Sequence, residues 1–149
     1  MLMEQKTING FDESQIFKLY EYLVAYEELG ISNFKSTKAM VDRYPELAII
    51  QTLQKQMNYH RAKAQTIESV DLKALRNEIY MTVRGNLLLS FLAHLRNAIA
   101  HGCVVEHKGN ILLTDFEDPK RHPVAFTARG CVTFEIVNGY TKLFKSIEL

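Results

Sequence analysis

The sequence predicts a mostly α fold: a helical bundle with a small β insertion between a long central helix and a C-terminal helix. Three observations carry that expectation. Apolar residues recur at helical spacing from Ile16 to Tyr26. From Leu87 to Leu95 the chain is apolar nearly all round, as a helix enclosed on most sides must be. After His101–Gly102 the apolar period changes from helical to that of strands. With 149 residues the chain falls in the usual range of one domain, so residues 1–149 are read as a single unit.

The elements follow in order. Asp12 is placed to cap a first helix, with Gln15 completing a capping box and Phe11 stapling against Ile16. Ile16, Leu19, Tyr20, Leu23 and Tyr26 then share one stripe, and Gly30 ends it. Tyr20, Tyr22 and Tyr26 are read as core and core-edge packing rather than as a base-stacking platform. A short helix is expected over 35–43. Pro45 suits the first turn of the next, running through Leu47, Ile50, Leu53 and Met57 to about Arg61. Residues 62–69 read as a linker. The central helix is expected from about Val70 to Ala100, with Leu72, Leu75, Ile79 and Val83 on one face and a bend at Gly85. Beyond it, CVVE-HKGN-ILLTDF reads as a hairpin turning near Gly109–Asn110, and VAFTARG as a possible third strand. Thr133 can cap a final helix carrying Phe134, Val137, Leu143 and Phe144.

Composition narrows the function. No apolar stretch near the N-terminus suits a secretory signal, and the segment 86–95 is about half a bilayer span, so the expectation is a cytoplasmic protein without a membrane partner. Cys103 and Cys131 lack CxxC spacing and read as small apolar side chains in a reducing compartment. A net charge of +1 argues against a strongly basic nucleic-acid binder, yet the charges segregate. Up to Gly30 six acids oppose Lys6 and Lys18, whereas cations and four of the five histidines crowd the later chain. A polyanion would therefore meet the later part.

Several chemistries are missing: there is no glycine-rich phosphate loop, no GxSxG and no HExxH. His94 and His101 stand two helical turns apart, roughly 10 Å, too far to share one metal ion. No metal site and no cofactor is expected. A Cys103–His101 pair lacks an orienting third residue. What remains is Arg96-Asn97-Ala98-Ile99-Ala100-His101-Gly102 at the end of the most apolar helix. Asn97 and His101 share a face, and the long Arg96 side chain can reach round the helix end. A guanidinium, an amide and an imidazole suit phosphodiester chemistry: Arg96 stabilises phosphoryl charge, Asn97 orients and His101 moves protons. Lys120, Arg121 and His122 are candidate RNA contacts in a polar loop, as is Arg129 before the last helix. His94 reads as a satisfied, partly buried histidine.

The segment LRNAIAHG resembles the signature of the HEPN superfamily, an arginine and usually a polar residue followed after a few spacers by histidine. The hairpin, TARG and final helix are similar to small stand-alone HEPN proteins of plasmids and other mobile elements. The resemblance implies an α-helical bundle that dimerises with its motif helices at the interface. It also implies metal-independent RNA cleavage, as in toxin–antitoxin or phage-defence systems, with Arg96 and His101 catalytic and Asn97 orienting. The products would end in cyclic phosphate and 5′-hydroxyl. An antitoxin or other partner protein is implied as well. Where HEPN toxins paired with nucleotidyltransferase antitoxins carry a modifiable tyrosine, this chain has Cys103, so that pairing is not expected. Two other readings stay open: a HEPN module that binds RNA or a nucleotide or serves a protein partner without turnover, and a helical interaction protein whose Arg96 and His101 only cap and solvate.

Overall fold

A computed structural model describes residues 9–117 and 125–149. Helix α1 (Glu13–Glu28) begins as its sequence dictates: Asp12 Oδ1 accepts from the Gln15 amide at 2.8 Å while the Gln15 side chain accepts from the Asp12 amide at 3.0 Å. Its buried stripe is Leu19, Tyr22, Ala25 and Tyr26. Tyr22 therefore takes the place expected for Tyr20, which points to solvent beside Phe17 and Val24. Helical spacing puts Tyr22 on the face of Leu19 and Tyr26, and its buried hydroxyl donates to the Leu92 carbonyl at 2.8 Å.

Ser36 caps α2 (Thr37–Arg43), and Pro45 opens a 3-10 turn, Pro45–Ile49, that leads into α3 (Ile50–Gln54). The helix expected to reach Arg61 stops here. Asn58–Arg61 is a strand, β1, and the supposed linker contains α4 (Ala64–Glu68).

The largest correction concerns the central helix. Its expected first half is a 3-10 turn, Leu72–Ala74, and a strand, β2 (Glu78–Met81); only α5 (Leu87–Ala100) is helical. Asn77 and Gly85 bound the strand at φ 45° and 72°, in the left-handed region that no continuous helix crosses. Ile79 and Met81 are buried with period two, and β2 finds hydrogen-bonding partners on both edges. Asn86 then caps α5 through the Leu89 amide.

The hairpin strands β3 (Val104–His107) and β4 (Asn110–Phe116) turn through Lys108 and Gly109, both at positive φ. They are followed by β5 (Phe126–Thr133) and by α6 (Phe134–Lys145), which Thr133 caps. All strands join one five-stranded sheet in the order β1-β2-β5-β4-β3. β1 and β2 are parallel, joined across α4, and the other pairs are antiparallel. This is an α/β architecture, not a mostly α helical bundle, and the hairpin supplies two strands of a five-stranded sheet rather than forming an insertion.

The main core gathers α1, α5, α6 and one face of the sheet around Phe91, Leu92, Leu95 and Tyr140. A smaller cluster of Leu75, Leu112 and Cys131 lies on the other face, under α4 and the 3-10 turn. α5 thus lies in the main core, against β4 and α1, and its C-terminal end is exposed. Among the described residues, no helix is long and apolar enough to cross a membrane.

Candidate functional site

The C-terminal half of α5 carries three partly buried polar side chains, His94, Arg96 and Asn97, and two of them meet a buried acid. Alternation along β4 turns Ile111, Leu113 and Asp115 toward the main core, so one carboxylate is buried there, 3% exposed. Burial of an unpaired carboxylate is costly, and α5 supplies its partners. His94 Nδ1 lies 2.8 Å from Asp115 Oδ2, and Asn97 Nδ2 donates to the same oxygen at 3.3 Å. Asp115 Oδ1 accepts from the Phe116 amide at 2.9 Å. The other His94 nitrogen, Nε2, stands 2.8 Å from the Thr82 carbonyl. Both partners are acceptors, so the ring donates at both contacts only when it carries both protons.

The network continues to the surface. Asn97 Oδ1 accepts from Arg96 Nη1 at 3.2 Å, and Arg96 Nε donates to Glu27 Oε1 on α1 at 2.7 Å. Glu27, Arg96, Asn97, Asp115 and His94 thereby form one chain of contacts linking α1, α5, β4 and the residue after β2. The Arg96 side chain is still 35% exposed, and among the described residues its Nη2 makes no hydrogen bond.

His101 stands apart from this network. It is the C-cap of α5, its amide bonded to the Asn97 carbonyl at 3.0 Å, and its side chain is exposed. Among the described residues its imidazole has no hydrogen-bond partner. Gly102 follows at φ 70°, and its carbonyl accepts from the Asn9 side chain. Helical geometry sets His101 about 7.5 Å along the axis from Arg96 and about 140° round it, so one bound phosphate meets both only through Arg96's reach. Cys103 Sγ faces the His101 carbonyl at 3.7 Å. Burial and the nearby Asp115 push its thiol above the ordinary value, which disfavours the thiolate.

A cleft of about 620 Å³ opens over this network. His94, Asn97 and Asp115 lie in its wall, Lys35 and Arg84 bring cations to it, and Glu117 brings an anion. Neither Arg96 nor His101 lines it. Among the described residues there is no group of three or more His, Cys, Asp or Glu side chains placed to hold a metal ion.

Arg129 is not brought to the motif. It lies opposite Tyr80 and Thr114 in the sheet, and its Nη1 donates to the Glu68 and Val70 carbonyls at 3.1 and 3.0 Å. With its guanidinium 5.8 Å over the Phe126 ring, it fastens the end of α4 to β5. Lys120, Arg121 and His122 lie outside the described residues.

Sequence reasoning missed Asp115, Glu27 and Thr82 as partners. A signal existed for the first: an acid at an inward position of an alternating strand needs a buried partner, and His94 is a polar residue on the helix that packs there. No protein-family model, curated protein or solved structure matches the chain.

Proposed function

We propose that the chain cleaves RNA without a metal ion at the exposed end of α5, using Arg96 and His101. The observation that carries this reading is the state of the two side chains. Arg96 is held by Glu27 and Asn97 yet keeps donors for a phosphate, while the exposed His101 imidazole has no competing partner among the described residues. In the reaction the 2′-hydroxyl oxygen bonds to the adjacent phosphorus as the bond to the 5′-oxygen breaks. His101 takes the 2′-proton, solvent supplies one to the departing oxygen, and Arg96 stabilises the charge on the phosphoryl oxygens. Asn97 orients Arg96 through its Oδ1.

The reading rests on the Arg96–His101 segment and its likeness to the HEPN motif, not on the fold, which is not the all-helical bundle that likeness implies. A second copy facing the α5 end would bring another Arg96 and His101 to the same place, so dimerisation belongs to the proposal.

A second reading, binding without turnover, is favoured by the Arg96–Glu27 ion pair and by the separation of His101 from the cleft. Parallel binding and cleavage assays separate the two. For the enzyme, His101→Ala abolishes cleavage by about 10²–10⁴-fold and leaves RNA affinity within about twofold, whereas Arg96→Ala lowers both. Wild-type binding with no cleavage of any substrate favours the module.

A further inference from the structure

The cleft over α5 shares Thr82 with a second, of about 680 Å³, at the β1 edge of the sheet. The second is lined by His60, Arg61, Lys63, Thr66 and Tyr80. His60 and Tyr80 are register partners across the parallel strands β1 and β2. That pairing stacks their rings, with centroids 4.3 Å apart and planes 15° from parallel. Glu78, two residues before Tyr80 on the same face, fixes the imidazole by a 2.6 Å contact to Nε2.

The stack is open. The His60 side chain is 40% exposed, and among the described residues no strand lies beyond β1 at this edge of the sheet. Arg61 and Lys63 are both exposed beside it, and Thr66 and Thr82 add hydroxyls. Past Thr82 the first cleft continues with Arg84 and Lys35 and reaches Asn97, the neighbour of Arg96. Among the described residues the acids facing this path are Glu78, engaged with His60, the buried Asp115, engaged with His94 and Asn97, and the exposed Glu117. A fixed, flat π surface flanked by cations at successive positions is what a single nucleic-acid strand requires: a shelf for a base and charges for its phosphates. An acidic peptide would use the cations but leave the imidazole face idle.

We propose that His60 and Tyr80 form a base-stacking shelf for single-stranded RNA, with Arg61 and Lys63 meeting its phosphates and Arg84 and Lys35 guiding the strand toward the end of α5. This rests on the reading that the chain acts on RNA, and it adds a binding site distant from the reacting residues.

The test is fluorescence anisotropy with a labelled oligoadenylate over a series of salt concentrations, in the full chain. His60→Ala weakens binding about tenfold, and His60→Phe, which keeps a flat ring, retains most of the affinity. The double variant Arg61→Glu, Lys63→Glu reduces the salt dependence of log K by about two. Circular dichroism melts establish that each variant folds. If these variants bind like wild type while Arg96→Ala weakens binding, the shelf is wrong and the RNA reading stands. Adenosine monophosphate binding as tightly as the oligomer overturns the strand path in favour of a mononucleotide site. Wild-type protein that binds no RNA overturns both.

Discussion

His94 joins two elements that approach each other from opposite directions in the chain: its ring spans from the Asp115 carboxylate on β4 to the Thr82 carbonyl just after β2. Asn97 adds a second donor to the same carboxylate and hands the connection to Arg96 and Glu27. Removing the acid leaves His94 and Asn97 facing a void in a buried polar cluster. Asp115→Ala is expected to cost about 3–5 kcal/mol, read from urea unfolding; a loss under about 1 kcal/mol would show that the network does not hold the fold. At this scale the sequence was partly legible. The stretch from Arg96 to His101 stood out by residue type and by its place at the end of an apolar helix. The partners did not, because Glu27 and Asp115 lie 69 and 18 residues from the groups they bind, and only tertiary packing makes them neighbours.

Among the elements, those whose ends carry their own signals were readable from local sequence. Asp12 and Thr133 each cap the helix their side chains predict, and the hairpin turns within a residue of its expected centre. β2 was not readable. Leu72, Leu75, Ile79 and Val83 match a helical stripe, and the alternative period of Ile79 and Met81 gains its energy only from strands supplied elsewhere, β1 and β5. Its seat on β5 depends on Gly130, where an added Cβ would stand 2.8 Å from the Glu78 carbonyl oxygen and 2.9 Å from Ile79 Cβ. The nearest obstacle is backbone, so the strand itself must move. Gly130→Ala is expected to destabilise the protein by about 1–3 kcal/mol in thermal melts and to disturb the His60–Tyr80 pair carried by β2. An unchanged melting temperature would mean that β2 does not pack as described.

Across the whole molecule, one helical layer covers a sheet whose outer face is only partly clothed by α4 and the 3-10 turn. A polar groove is therefore left along its β1 edge, and no contiguous sequence spells it out: His60 comes from β1, Tyr80 from β2 and Thr66 from α4. The main core is rich in tyrosine. Burial pushes the Tyr59 hydroxyl from its ordinary 10.0 up to about 12, and burial raises Tyr22 and Tyr140 in the same direction. A raised folded value favours the protonated phenol in the folded state, so this stability is fully present below pH 10 and is lost as pH rises through about 12. Melting temperatures should hold below pH 10 and then fall, and a flat profile to pH 12 would contradict that burial. The proposed function turns on the exposed end of α5, where the helix emerges from the core carrying Arg96 and His101. The most direct measurement compares wild type with His101→Ala on single-stranded and structured RNA in EDTA, with analysis of the product ends. The account predicts cleavage by wild type alone, leaving 2′,3′-cyclic phosphate and 5′-hydroxyl ends. Cleavage that persists in the folded His101→Ala protein, or that disappears with chelation, would contradict it.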